Sequence, residues 1–356
     1  MRVATLTLPF HANYGAVLQA YALQVTLKSF GHDVYSLDID RRSLRPLFKY
    51  SLSRIKGIVT KGEVLDNYNY GNKKFKKFIE NEIALTKKIK FQKDFMRNDI
   101  QNFDAYIVGS DQVWRPKYVM NIGRYFLDFV KNDKIKISYA ASFGTDDFEY
   151  SNDEYKKCSI LLSDFKGVSV REFDGIDKCK DKLLSSSELV LDPTLLVNVN
   201  VYNNLIDKYS EKKLASDFFC YILDPNKSKM DYINKAFNHP YVINHGLKSK
   251  DKDSIGCWLK GIRDCNLVIT DSFHGVVFSI IFNKEFIAIG NSDRGLARFK
   301  SILKVFNLTD RLINEDQLSI DNLKIIANSK IDYINVNKIL NEKRNESFDF
   351  IAKHLS

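Results

Sequence analysis

Short apolar runs alternate with helix-periodic stretches along almost the whole chain, a pattern that predicts parallel α/β layers. Strands are predicted at 3–8, 34–39, 105–108, 135–140, 167–170, 189–191, 218–223, 241–243, 267–270 and 286–289. Helices are predicted at 16–30, 153–165, 227–237, 254–265 and 276–282, with one long helix at 335–354 closing the chain. A chain of 356 residues exceeds one ordinary core. The stretch Asp192, Pro193, Thr194 ends a strand and opens a polar segment, which sets the expected boundary. The expectation is therefore two Rossmann-like α/β domains, 1–192 and 193–356, facing across a cleft, with the terminal helix packing back on the first.

Within this pattern the stretch 267–282, LVITDSFHGVVFSIIF, is the most informative. A buried parallel strand runs into Asp271, Ser272, Phe273, His274 and Gly275, and an apolar helix follows. Ligands of open α/β sheets bind where strands end, and helix N-termini attract anions. Asp271 and Ser272 as plain caps beside a structural imidazole is the other reading, and both stand open.

Composition narrows the class. No apolar run approaches the roughly 18 residues of a membrane span, and the first ten residues lack the blocks of a signal peptide, so a cytoplasmic protein is expected. Cys158, Cys179, Cys220, Cys257 and Cys265 are scattered and without a CxxC pair, which argues for reduced thiols and against a disulfide framework. The net charge is +10, yet residues 41–93 alone hold 15 Lys or Arg against Glu63, Asp66, Glu80 and Glu82. Inside that basic insertion Phe48, Leu52, Ile55 and Val59 keep helical spacing, which suits contact with anionic lipid as well as a solvated face. No nucleic-acid-binding module accompanies the charge.

Several predicted strands end in polar loops. The first is followed by Asn13, Tyr14 and Gly15, a tight turn that suits close approach of an acceptor or a simple Asn cap; it lacks the GxGxxG of a dinucleotide site. After 105–108 come Gly109, Ser110, Asp111, Gln112, Val113, Trp114 and Arg115. A carboxylate, an amide and an indole together suit a saccharide, and Asp111 can take a proton from a hydroxyl. Arg171 and Glu172 end another run, where the arginine can fork onto a phosphate or pair with a neighbouring acid. Arg294 and Arg298 follow the 286–289 strand at helical spacing. No metal is expected, because the six histidines form no HxH or HxxxH pair. There is no GxSxG elbow and no P-loop.

Taken together NYGAVLQAYALQ, FDAYIVGSDQVW, ISYAASFG, VSVRE, LDPTLL and ITDSFHGVVFSIIF resemble the polysaccharide pyruvyl transferase family, from the first strand to about Leu312. The resemblance implies a glycosyltransferase-B-like architecture and transfer of pyruvate from phosphoenolpyruvate, as co-substrate and with no cofactor, onto sugar hydroxyls as a ketal. It places Arg171 and His274 at the donor site; the strand-end loops themselves suggest Ser272, Gly275, Arg294 and Arg298 beside them, and an acceptor site of Asn13, Tyr14, Gly15, Asp111, Gln112 and Trp114. The expected catalytic set is His274 and Arg171, with Asp111 as the candidate base for the sugar hydroxyl. Family members tend to carry an arginine two positions before this histidine; here Ser272 stands there, and Arg294 or Arg298 is expected to supply the cation. The acceptor is expected to be a surface or capsular polysaccharide precursor, lipid-linked at the membrane face, with 41–93 touching anionic lipid. Two alternatives remain at this level: a glycosyltransferase using a nucleotide sugar, and a non-catalytic saccharide-binding protein. No glutamate has another eight residues on, a pairing many retaining enzymes of that fold carry.

Overall fold

The computed structural model describes residues 1–40, 72–211, 216–237, 240–242, 252–290 and 295–356. The described chain forms two compact units, Met1–Leu196 with Asn345–Ser356, and Val197–Arg344. The first holds β1 (Arg2–Leu6), α1 (Tyr14–Ser29), β2 (Asp33–Ser36), α2 (Lys73–Glu82), β3 (Ala105–Val108), β4 (Ile135–Ala141), α3 (Asn152–Leu162), β5 (Gly167–Val170), α4 (Phe173–Asp181) and β6 (Glu188–Leu189). The second holds α5 (Val199–Tyr209), β7 (Phe218–Tyr221), α6 (Lys227–Ala236), β8 (Tyr241–Val242), α7 (Ile255–Asp264), β9 (Leu267–Thr270), α8 (Phe273–Ile281), β10 (Glu285–Gly290), α9 (Ala297–Val305), β11 (Leu312–Asn314) and α10 (Ile320–Asn328). The long α11 (Tyr333–Leu355) starts in the second unit and ends in the first.

Every strand pair is parallel. The first sheet runs β2-β1-β3-β4-β5-β6 and the second β11-β10-β9-β7-β8. Taken from its other edge, the second sheet repeats the order of the first. In both, the chain reverses direction of travel across the sheet, between β1 and β3 and again between β7 and β9. Ligands of doubly wound sheets bind outside the strand carboxyl ends at such a switch point.

The near-continuous apolar strands are buried on both faces, as parallel sheets require. Tyr106, Val108, Trp114, Phe126 and Phe143 lie in the core of the first unit, and Ile269, Ile287, Ile289 and Leu323 in that of the second. The register of β4 against β5 shifts between Ser138 and Ala141. Two buried serines satisfy the backbone there: Ser169 N–H donates to Ser138 Oγ at 2.9 Å, and Ala140 N–H to Ser169 Oγ at 3.1 Å. The last turns of α11 pack on the first unit, where Leu191 N–H donates to Ser347 Oγ at 3.0 Å and Phe350 lies 6.2 Å from Tyr139, ring to ring.

All ten predicted strands form. The sequence pattern did not reveal β11 or the helices α2, α4, α5, α9 and α10, whose short apolar faces are interrupted by charge or polar residues. It also started α8 three residues too late. Ser272 is the N-cap, its Oγ accepting from Gly275 N–H at 3.4 Å, so helix begins at Phe273 and includes His274. All five cysteines are buried free thiols. Among the described residues no helix is long and apolar enough to cross a membrane. The predicted amphipathic segment Phe48, Leu52, Ile55, Val59 lies outside the described residues, as do all positions 41–71 of the basic insertion. The part that is described includes α2, whose Phe75, Phe78 and Ile79 are buried in the unit, leaving its lysines as the outer face.

Candidate active site

At the switch point of the first sheet, Thr7 Oγ1 donates to the Ser110 carbonyl at 3.1 Å and accepts from Gln19 Nε2 at 2.9 Å, tying the end of β1 and the first turns of α1 to the loop after β3. That loop turns sharply. Gly109 has φ +121, and a Cβ on it would run into the Tyr139 carbonyl. Asp111 is left-handed at φ 76, a conformation aspartate tolerates better than most residues. Its carbonyl accepts from Val113 N–H at 2.8 Å and Ser142 N–H at 3.1 Å, which holds the turn in place.

The Asp111 carboxylate belongs to a buried ionic network. Arg171 Nη2 donates to Asp111 Oδ1 at 3.3 Å, while Arg171 Nη1 donates to Asp192 Oδ2 at 2.7 Å and to Ser110 Oγ at 3.3 Å. Arg171 Nε lies 3.8 Å from Glu172 Oε2. Side-chain exposure is 1% for Arg171, 0% for Asp192 and 13% for Asp111, so Asp111 is the member that meets solvent. Its Oδ2 makes no hydrogen bond among the described residues. Burial alone would lower the guanidinium pKa of Arg171, but Asp192, Asp111 and Glu172 outweigh it and hold that pKa above its ordinary value. Glu172 is anchored in turn by Phe143 N–H at 3.0 Å and Gly144 N–H at 3.4 Å.

This placement corrects several sequence expectations. Arg171 is 1% exposed and faces three carboxylates of its own unit, which places it behind Asp111 and away from solvent. Trp114 is 0% exposed, stacked on Phe126 at 5.0 Å, with its indole N–H donating to the Tyr125 carbonyl at 3.0 Å; it is a core residue and offers no face to a sugar. Tyr14 is likewise fully buried, its ring 4.9 Å from Phe75. Arg115, from the same loop, is forked onto Glu149 with both contacts at 3.1 Å. Asn13 caps α1 by accepting from Ala16 N–H at 3.1 Å, and Gly15 lies buried in the first turn behind it. Gln112 stays beside Asp111, with its side chain packed over Gly144, where a Cβ would collide with it.

The second sheet repeats the arrangement with other chemistry. Asp271 accepts from Leu223 N–H, and from Asp224 N–H at 3.1 Å, which ties the end of β9 to that of β7. Burial pushes the Asp271 carboxyl above its ordinary range, partly offset by those two N–H groups and by Lys229, whose Nζ lies 3.6 Å away. Asp271 is therefore a structural tie that faces Lys229. Thr270 Oγ1 donates to the Tyr221 carbonyl at 2.7 Å and accepts from Ser272 N–H at 3.0 Å. A Cβ on Gly275 would strike the Thr270 side chain, so glycine lets α8 start directly against β9.

His274 sits in the first turn of α8 and is buried, its ring edge-on to Phe273 at 5.2 Å. The Arg298 guanidinium, from the first turn of α9, lies over the same Phe273 ring at 5.9 Å. His274 and Arg298, from different loops, are thus gathered around one aromatic side chain at the N-terminal end of a helix. Arg294 lies outside the described residues. Sequence reading missed Asp192, taken only as a boundary marker. A signal was present: an Asp at a strand end with Thr two residues on caps that turn, and here Asp192 Oδ1 accepts from Thr194 N–H at 3.1 Å and Thr194 Oγ1 at 2.7 Å.

Comparison with known proteins adds family and fold. The family described as polysaccharide pyruvyl transferase matches residues 13–293. No curated protein matches the chain. Among solved structures, UDP-N-acetylglucosamine 2-epimerase from Rickettsia bellii is similar at TM-score 0.53 and 9% identity, over 99% of this chain and 96% of that one. Arabidopsis thaliana UGT89C1 complexed with UDP-L-rhamnose is similar at TM-score 0.51 and 11% identity, over 98% of both chains. At such identity the likeness shows the fold alone, the glycosyltransferase-B type with its Rossmann-like halves.

Proposed function

The chain belongs to the polysaccharide pyruvyl transferase family, and from that premise we propose that it transfers the pyruvyl unit of phosphoenolpyruvate onto two hydroxyls of a surface or capsular polysaccharide precursor. The products are a cyclic ketal and inorganic phosphate. The observation that carries this reading is the opposite charge of the two strand-end clusters. Among the described residues, three carboxylates stand around one guanidinium beside Asp111, an acidic setting that suits neutral hydroxyls better than an anionic donor. Around His274 stand a helix N-terminus and Arg298, which suit the phosphate and carboxylate of the donor.

The chemistry follows from those groups. Protonation of the donor methylene makes a methyl group and leaves an oxocarbenium-like carbon, which one sugar hydroxyl attacks as Asp111 Oδ2 takes its proton. The bond to phosphate then breaks, a second hydroxyl adds at the same carbon, and its proton leaves with the phosphate. His274 is the general acid or the phosphate partner. Arg298, with Arg294 from the preceding loop, neutralises the departing group. Arg171 acts from behind, by holding Asp111. Asn13, Gly15 and Gln112 complete the acceptor side, and Ser272 and Gly275 shape the donor helix end.

The test is acceptor-dependent phosphate release from phosphoenolpyruvate, with the ketal read by mass spectrometry; His274→Ala should abolish it. Full turnover by that variant overturns the role of His274. Thermal shift separates the runner-up, nucleotide-sugar transfer, because a ligand at 100 times its Kd stabilises by about 2.7 kcal/mol. Stabilisation by nucleotide diphosphate sugars and none by phosphoenolpyruvate would replace the pyruvyl reading. We also propose that the acceptor is lipid-linked and that residues 41–93 rest on anionic lipid, with Lys73, Lys74, Lys76 and Lys77 of α2 contributing charge alone. Absence of sedimentation with phosphatidylserine vesicles at low salt refutes that contact.

A further inference from the structure

Arginine and carboxylate pair most strongly as two parallel forks, both oxygens against two N–H groups. Arg171 and Asp111 do not pair that way: one guanidinium nitrogen reaches one oxygen, at 3.3 Å, and Oδ2 stays open. The reason lies at Asp192. Its Oδ2 holds Arg171 Nη1 at 2.7 Å, closer than Asp111 does, and Ser110 Oγ bridges the same two groups at 3.2 and 3.3 Å. Asp192 cannot follow the arginine, because its Oδ1 is fixed by the N–H and hydroxyl of Thr194 and the side chain is wholly buried. Glu172, held by two backbone N–H groups, limits the guanidinium on its Nε side.

We infer that Asp192 is a positioning residue that restrains Arg171, so that Arg171 orients Asp111 through one oxygen and leaves the other free to accept the sugar hydroxyl proton. Without Asp192 the guanidinium turns both of its outer nitrogens onto Asp111 and silences it. The inference rests on the assignment of Asp111 as base in the proposed reaction. The sequence arrangement fits this division: Ser110 and Asp111 follow β3, Arg171 follows β5 and Asp192 follows β6, with the small Ala140 and Ala141 at the end of β4 between them.

Asp192→Asn tests it, since the amide oxygen retains the Thr194 contacts while its NH2 repels Arg171 Nη1. The expected result is a fall in kcat of about tenfold or more, up to the roughly 10²–10⁴ that a general base contributes, with KM for phosphoenolpyruvate unchanged. In an Asp111→Asn background the same substitution should cost nothing further, whereas a merely structural role would lower that background too. Unchanged kcat, or a full additional loss in the double variant, overturns the inference. If Asp192→Asn fails to fold, Ser110→Ala decides: it removes the bridge and should lower kcat several-fold with the same KM, and no change is contrary. A crystal structure of Asp192→Asn, or of Ser110→Ala, reads the arrangement without turnover. Arg171 forked onto both Asp111 oxygens supports the inference, and Arg171 left as it is overturns it. Failure of the wild type to release phosphate from phosphoenolpyruvate counts against the pyruvyl reading, and this structural arm then decides the restraint.

Discussion

Replacing Arg171 by methionine removes, among the described residues, the cation that pairs with a buried group of three carboxylates, while roughly keeping the volume of the side chain. The hydrogen bonds lost among the described residues include those at 2.7 Å to Asp192 and at 3.3 Å to both Ser110 and Asp111. Breaking a buried ion pair by deleting one partner costs about 3–5 kcal/mol, because the remaining charge is left desolvated. Asp192 at 0% exposure places this site near the upper end. A domain of this size loses about 2–4 °C of Tm per kcal/mol, so circular-dichroism melts at pH 7 should fall by roughly 6–20 °C. The deficit has a sign in pH. Orphaned, buried carboxylates have folded-state pKa values raised above the unfolded ones, so they favour the fold when protonated and oppose it as pH rises through those values. The gap between wild type and Arg171→Met should therefore narrow toward acid. A Tm loss under about 2 °C at pH 7, or a gap that widens in acid, refutes the reading of Arg171 as the cation that makes this strand-end cluster tolerable.

Glu149→Gln tests Arg115, the arginine of the loop after β3. The forked hydrogen bonds from Arg115 hold the Glu149 carboxyl below its ordinary range, so its stabilisation is present above the unfolded glutamate value and disappears as pH falls through the lowered one. The variant should lose about 2–3 kcal/mol at pH 7 by urea titration, with wild type and variant converging in acid; a pH-independent difference contradicts the pairing. Trp114→Phe should cost about 1–3 kcal/mol, through the unsatisfied Tyr125 carbonyl and lost packing, yet leave the acceptor KM of the folded protein unchanged. A raised acceptor KM at unchanged stability would restore the sugar platform the sequence suggested. Arg298→Gln should raise KM for phosphoenolpyruvate about tenfold or more, as loss of a charged hydrogen bond of roughly 1.5–3 kcal/mol implies; an unchanged KM removes Arg298 from the donor site.

What the sequence made legible was whatever a local period controls. Most of the ten strands announced themselves because a parallel strand buried on both faces is nearly all apolar, and the polar residues at several strand ends marked loops, two of which the sheet order puts at switch points. Side-chain partners are a different matter, since strand order decides them and a one-dimensional pattern does not contain it. Arg171 looked like an open anion ligand because nothing in VSVRE says that Asp111, two strands away, and Asp192, one strand beyond, both converge on it. Trp114 looked like a platform for the same reason: the left-handed turn at Asp111 swings the chain back, so Val113 and Trp114 enter the core while Asp111 stays at the rim. The two errors have one source and one consequence. A polar loop gathers chemistry in sequence but distributes it in space, here leaving the carboxylate of Asp111 outward and taking its indole and guanidinium neighbours inward. The residue of such a loop to assign to catalysis is the one whose side chain keeps an open atom at the solvent-facing rim of a buried ionic network. In the first unit that criterion selects Asp111 Oδ2, and it makes Arg171 and Asp192 the means by which that oxygen is kept open.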